Sequence, residues 1–228
     1  MMILIPLTPR RLGCVRRPPA RIQFHMQSPP SETRVAIIIG SVRPGNFSSK
    51  AAALLASEFA RLGVTPDVID PASLNLPMPG IDLNAPGPLE LQRRIAAAAA
   101  VVLVTPEYHG SFSSVIKLAI ENMGFPSPMA GKPVGLLGVA AGVIGAIKSL
   151  EALRGVVSHV GALPLPMPVS VANVQSVFDA SGNCLDPAIE KHIRRLASSV
   201  LDYLGDHVCP RVTLERIMRE GLAATLSE

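Results

Sequence analysis

Tryptophan is absent from this 228-residue chain, and with two tyrosines and six phenylalanines the aromatic fraction is only 4%. A nucleic-acid surface needs an excess of Lys and Arg in the folded part, often interleaved with aromatic rings. Neither is available: the net charge of +4 is confined to residues 1–33, where five arginines (Arg10, Arg11, Arg16, Arg17 and Arg21) stand against Glu32, and residues 34–228 carry 16 basic and 16 acidic side chains. No nucleic-acid partner is expected. Cysteine is also scarce. Cys14, Cys184 and Cys209 are widely separated and lack the close pairs and nearby histidines of zinc sites, so no metal is expected and a reducing, cytoplasmic setting is. Long apolar runs are missing too: none reaches the roughly 18 residues of a membrane-spanning helix, and Ala96–Thr105 stops at a polar loop. No membrane partner is expected.

The first 33 residues are rich in Pro and Arg and lack the continuous apolar core of a secretory signal, and Arg10-Arg11 is not followed by an export-type apolar stretch. The expectation is a basic, disordered extension with Met26 as an alternative translation start. The absence of acid in residues 1–31 would suit an organelle-targeting peptide, but the prolines interrupt the amphipathic helix such a peptide uses.

What the chain does have is apolar material, 48% of residues with a mean hydropathy of +0.37, enough for one well-filled α/β domain. We place it at residues 34–206, followed by a helical tail, 207–228, with a helix expected over Val212–Ala223. From Arg34 onward apolar strand and helix alternate five times, the mark of a doubly wound parallel sheet with helices on both faces. Strands are expected at Val35–Ile39, Thr65–Ile69, Val101–Thr105, Pro133–Gly138 and near Leu163–Val171. Helices are expected at Ser48–Leu62, Glu90–Ala99, Ser113–Asn122, Ile144–Val160 and Pro187–Leu204. In such sheets ligands bind beyond the carboxyl ends of the strands, where the connections reverse direction. Three loops lie there: Gly40–Ser49, Pro106–Ser114 and Gly138–Gly145.

The first loop, Gly40-Ser-Val-Arg-Pro-Gly-Asn-Phe-Ser-Ser49, joins an all-apolar strand to an alanine-rich helix. Backbone N–H groups at a helix N-terminus attract anions. Gly40 and Gly45 match the start of a P-loop, but Asn46 and Phe47 stand where its Lys and Ser/Thr belong, which removes the triphosphate's charge partner and the metal's hydroxyl ligand. The dinucleotide pattern Gly-x-Gly-x-x-Gly is missing as well. What remains suits one terminal phosphate: the Ser41 and Ser48 hydroxyls, the Asn46 amide, and the Arg43 guanidinium, which can grip two oxygens. A plain Gly/Ser/Pro turn with Ser48 as the helix cap would use the same residues.

The second loop, Thr105-Pro-Glu-Tyr-His-Gly-Ser111, puts backbone donors and acceptors and one aromatic ring around a flat, polar-edged ligand. Taken alone, Tyr108 fits a core or surface position equally well. His109 reads better as a solvent-facing loop residue than as a base, since no Ser or Cys nucleophile accompanies it.

Together, Gly40-Ser41-Val42-Arg43, Asn46-Phe47-Ser48 and Pro106-Glu107-Tyr108-His109-Gly110-Ser111, with Lys117 and Ala119-Ile120, closely resemble the NADPH-dependent FMN reductase family, which includes azo, quinone and chromate reductases. The resemblance covers about residues 34–204. It implies a flavodoxin-like five-stranded sheet of order 2-1-3-4-5 and noncovalent FMN. It also implies NADPH or NADH as co-substrate, a small-molecule electron acceptor, and a homodimer or homotetramer. By the same resemblance Ser41, Arg43, Asn46, Phe47 and Ser48 hold the FMN phosphate, while Pro106, Glu107, Tyr108, His109, Gly110 and Ser111 line its ring. Here His109 replaces the family's usual Asn, and Ala140 stands where a serine of the third loop is common.

Hydride transfer through a flavin needs position and electrostatics, so no catalytic acid, base or nucleophile is assigned. Two other classes use the same fold: a flavin electron carrier, which would not turn over NADPH, and a flavin-free interaction protein. Carriers are usually acidic, whereas residues 34–228 balance to zero charge. The helix after strand four has an apolar face of Ile144, Ile147, Leu150, Leu153, Val157 and Val160, which suits burial against the sheet, a subunit interface, or both.

Overall fold

The structure, a computed structural model, describes residues 33–78, 81–82, 84–212 and 214–215. The expectations for residues 1–32, including Met26, and most of the expected tail helix Val212–Ala223 lie outside the described residues.

Seven strands and six helices follow in chain order among the described residues: β1 Arg34–Ile39, α1 Phe47–Arg61, β2 Thr65–Ile69, α2 Pro86–Ala97, β3 Ala100–Tyr108, β4 Ser111–Phe112, α3 Ser114–Glu121, β5 Pro133–Val139, α4 Ile147–His159, β6 Leu163–Pro164, β7 Val169–Val171, α5 Val174–Val177 and α6 Pro187–Tyr203. The sheet runs β2-β1-β3-β5-β6, all parallel, with β7 alongside β5 and β4 folded back on β3. This is the doubly wound parallel α/β fold expected, with seven strands in place of five.

Both extra strands have local causes. The expected fifth strand is broken into β6 and β7, which pair with opposite ends of β5. Between them Pro166 and Pro168 have no N–H for a ladder, and Met167 adopts the left-handed region at φ 60°. The other extra strand, β4, is a hairpin return that the expected loop concealed.

The central strands are continuous apolar runs because both faces of the sheet are covered. Period-two alternation then sorts their side chains into two cores. Val35, Ile37 and Ile39 of β1 pack with Val102 and Val104 of β3 under α1 and α6. Ala36 and Ile38 pack with Val101 and Leu103 under α2, α3 and α4. Each fully buried aliphatic side chain contributes roughly 1.5–3 kcal/mol, so these strands anchor the loops that leave their carboxyl ends.

Close approach explains two glycines. A Cβ on Gly138 would lie 2.5 Å from Ala146 Cβ, so glycine lets the start of α4 settle on β5. A Cβ on Gly40 would lie 2.7 Å from the Val104 carbonyl oxygen, the same oxygen that accepts the Gly40 N–H at 2.6 Å.

Helix α4 begins at Ile147, not Ile144, and its expected apolar stripe divides. Leu150, Leu153 and Val157 are buried, whereas Ile144 and Ile147 are 71% and 47% exposed. Among the described residues no helix is long and apolar enough to cross a membrane.

Candidate active site

The chain reverses its direction of travel across the sheet between β1 and β3, since β2 lies on one side of β1 and β3 on the other. The loops after these two strands therefore meet at the switch point, the place where ligands enter such sheets.

The first loop is shaped by Asn46. Its amide nitrogen donates to the carbonyl oxygens of Arg43 at 2.7 Å and Ser41 at 3.3 Å. Its Oδ1 accepts the Ser49 N–H at 2.8 Å and the Ser49 hydroxyl at 3.1 Å. Asn46 is thus the N-cap of α1, and the plain-turn alternative with its cap at Ser48 does not hold: Ser48 is the second residue of the helix. The physical reason is reach, because an N-cap must precede the helix for its side chain to meet the N–H three residues on. Gly45 at φ 65° supplies the left-handed step before the cap.

With the cap assigned to Asn46, the Ser48 hydroxyl is released for other use. Its Oγ is buried and has no hydrogen-bond partner among the described residues. An unpartnered buried hydroxyl in the first turn of α1, at the end of a loop that also carries the buried Ser41 and the exposed Arg43, fits a cradle for a phosphate. The Phe47 ring packs at the rim of the α1–α6 core, with the Lys50 ammonium 5.0 Å from its centroid. Lys50 itself donates to the Asp179 carbonyl at 2.7 Å and ties α1 to the chain beyond α5.

The second loop is more ordered than its sequence suggested. Strand β3 continues through Pro106, Glu107 and Tyr108, and Pro106 is a buried strand residue paired in register with Val139. The chain then turns at His109 and Gly110, with φ of 52° and 73°, and returns as β4 with Glu107 opposite Phe112 and Tyr108 opposite Ser111. Two consecutive positive-φ residues make the two-residue hairpin whose preferred sequence is Asn-Gly. His109 fills the asparagine position because histidine is among the non-glycine residues that tolerate this region. Below the hairpin, the buried Thr105 Oγ1 accepts the Ser113 N–H at 3.1 Å, and Ser113 caps α3 by accepting the Ile116 N–H at 3.2 Å.

The two loops meet through side chains. The Arg43 guanidinium lies 4.7 Å from the centroid of the Tyr108 ring, a cation–π distance. Glu107 faces the other way: its Oε2 accepts the Ser149 N–H in the first turn of α4 at 3.1 Å. Ala146 offers α4 no side-chain cap, so Glu107 provides one from across the sheet.

The third loop is pinned from behind. The Ala140 N–H donates to Val171 at 2.9 Å and the Ala140 carbonyl accepts from Val174 at 3.0 Å. Ser170 Oγ accepts the Ala146 N–H at 2.8 Å. Sequence reasoning passed over Ser149, Ser170 and Lys148. Each takes its part through a neighbour distant in the chain, and no local pattern marks it.

Comparison with known proteins places the chain in a family. The sequence model of the family described as NADPH-dependent FMN reductase matches residues 33–176. An NAD(P)H-dependent FMN reductase of Pseudomonas aeruginosa is 32% identical over 171 residues, 72% of this chain and 91% of that protein. A 2-hydroxy-1,4-benzoquinone reductase of a Burkholderia species is 28% identical over 178 residues, 76% of this chain and 97% of that protein. Among solved structures, a flavoenzyme NAD(P)H:(acceptor) oxidoreductase from Paracoccus denitrificans superposes with a TM-score of 0.65 at 28% identity, covering 77% of this chain and 98% of that one. With the family match extending over both loops and more than half of the chain, this protein belongs to the NADPH-dependent FMN reductase family.

Proposed function

We propose that the chain is an FMN-containing oxidoreductase that takes a hydride from NADPH or NADH and passes the electrons to a small-molecule acceptor such as a quinone, an azo compound or free flavin. The observation that carries this reading is the Arg43–Tyr108 contact at 4.7 Å, which joins an anion cradle to an aromatic-bearing hairpin at the switch point of the sheet. A ligand with a phosphate at one end and a flat ring at the other fits that pair of loops.

FMN, when bound, supplies a hydride-accepting ring that can return one or two electrons. The chain's own part is to bind and orient. Ser41, Ser48 and Arg43 take the phosphate, with Arg43 the group able to bind two oxygens at once. Asn46 spends its amide on shaping the loop, so its contribution is positional. Tyr108, His109, Gly110 and Ser111 border the ring, and Pro106 and Glu107 hold that hairpin against β5 and α4. A single open site for donor and acceptor implies ping-pong kinetics and broad acceptor tolerance.

Assembly as a homodimer or homotetramer belongs to the same proposal. A groove of about 610 Å³ between α3 and α4 is lined by Lys117, Ile120, Phe125, Val156, His159 and Val160 among others, and by none of the loop residues. Phe125 in that groove is 93% exposed. Light scattering on the purified protein reads the state directly.

The deciding experiment is reconstitution. Protein purified with its flavin, or titrated with FMN, should be yellow, quench FMN fluorescence and gain thermal stability. It should then oxidise NADPH in the presence of a quinone with parallel double-reciprocal lines. Failure to bind FMN would overturn the reading, whereas FMN binding without NADPH oxidation would make the chain an electron carrier. Arg43→Ala should weaken FMN about 30-fold or more, from the loss of charge-assisted bonds of roughly 2–3 kcal/mol.

A further inference from the structure

Lys148 is the second residue of α4 and is exposed. A Cβ placed on Gly110 would lie 3.5 Å from Lys148 Cδ, so the lysine stem runs along the tip of the His109–Gly110 turn. The base of that stem is fixed on both sides, by the Ser149 N–H on Glu107 at 3.1 Å and the Ala146 N–H on Ser170 at 2.8 Å.

Among the described residues the Lys148 ammonium has no hydrogen-bond or ion-pair partner. The Glu107 carboxylate is turned to the Ser149 N–H, and Glu151, three residues along the helix, is in none of the ion pairs among the described residues. A cation in the first turn also opposes the helix dipole, so helix stability does not account for it. The other cation of the site, Arg43, stacks on Tyr108 and is committed to the FMN phosphate in the proposal above. Beside Lys148, Val143, Ile144 and Ile147 are 80%, 71% and 47% exposed and form an apolar shelf. A free ammonium next to such a shelf suits a ligand that has both a phosphate and an apolar ring.

We propose that Lys148 binds a phosphate of the pyridine dinucleotide donor and sets how tightly the enzyme holds it, an inference that rests on the FMN-reductase reading. Lysine serves here as a point charge for a phosphate, reaching outward from the ring hairpin. A neutral acceptor has no use for it. Two phosphates of the donor share this chemistry, the 2′-phosphate unique to NADPH and the pyrophosphate common to both dinucleotides.

The test uses FMN-loaded protein and oxidised dinucleotides, so no turnover is involved. NADP⁺, NAD⁺ and 2′,5′-ADP are titrated calorimetrically into wild type, Lys148→Ala, Lys148→Glu, Lys148→Arg and the remote control Lys191→Ala. NADP⁺ affinity should fall about fivefold in Lys148→Ala, the upper range for an exposed ion pair, and further in Lys148→Glu. Lys148→Arg and Lys191→Ala should match wild type, and FMN affinity should be equal in all five proteins. Selective weakening of NADP⁺ and 2′,5′-ADP identifies the 2′-phosphate. Equal weakening of NADP⁺ and NAD⁺ identifies the pyrophosphate. Unchanged affinities in both Lys148→Ala and Lys148→Glu, with FMN still bound, overturn this inference alone. A wild-type protein that takes up no FMN overturns the cofactor reading and this inference with it.

Discussion

Glu58 is the carboxylate on which the α1–α6 packing depends most directly, and replacing it with glutamine gives a test with a definite pH signature. Its side chain is only 3% exposed, and its oxygens accept from Arg61 Nε at 3.0 Å, Arg61 Nη2 at 2.6 Å and Arg194 Nη1 at 2.9 Å. Arg194 also binds Glu190 at 2.7 Å, so one guanidinium joins two turns of α6 to α1. The Arg61 hydrogen bonds, opposed by burial and reinforced by Arg194, lower the Glu58 pKa from 4.5 to about 2.

Fully counted, that displacement corresponds to roughly 3 kcal/mol. Arg61 and Arg194 are 66% and 35% exposed, and solvent screening reduces the figure to about 2 kcal/mol. Because the folded-state pKa is depressed, this stability is present above the unfolded value of 4.5 and is lost as pH falls towards about 2. Glu58→Gln should therefore lower the melting temperature by about 4–8 °C at pH 7. The gap to wild type should close between pH 4.5 and about 2, where the native carboxyl takes up the proton that glutamine mimics. Denaturant titrations of both proteins at pH 7, 5, 4, 3 and 2 measure this. A gap that stays constant down to pH 2, or no gap at pH 7, would refute the reasoning.

Three further predictions concern the site. Ser48→Ala should leave the flavin-free protein as stable as wild type or slightly more so, because it removes a buried hydroxyl with no partner. FMN fluorescence titration of the same variant should show about tenfold weaker binding, the equivalent of one charge-assisted hydrogen bond; equal FMN affinity would exclude Ser48 from the cradle. Glu107→Ala removes the cap that α4 receives from β3 and should cost about 1 kcal/mol in urea unfolding. Glu107→Gln, which keeps an acceptor oxygen, should recover most of it, whereas equal losses in the two variants would show that the charge and not the cap matters. His109→Asn should fold at least as stably as wild type, and His109→Val should lose roughly 1–2 kcal/mol, since a β-branched residue resists the φ of 52° that the turn imposes. Thermal melts decide this, and a valine variant as stable as asparagine would contradict the turn assignment.

Much of the fold was legible because its causes are local. The all-apolar Val35–Ile39 and Val101–Thr105 could be buried on both faces only in a covered parallel sheet, and the first loop's missing Lys and Ser/Thr at Asn46 and Phe47 excluded a P-loop. Errors arose where the local pattern allowed more than one reading. The plain-turn alternative put the cap at Ser48, two residues along from Asn46, because either residue can cap and only the path of the loop shows which does. The fifth strand reads as one apolar stretch until the pairing of β5 with two separate segments divides it at Pro166 and Pro168.

By itself, then, the sequence determined the alternation of elements, the small-polar loop at Gly40–Ser49 and the turn-prone His109-Gly110, since periodicity, propensity and φ preference act within a few residues of each position. Tertiary structure alone decided that Arg43 lies over Tyr108, that Glu107 is spent on Ser149 and that Lys148 lies along the Gly110 turn with its charge unpaired. Those contacts join segments 38 or more residues apart in sequence. The packing of the two cores, which sets how far β3 and α4 stand from one another, is what brings them within reach.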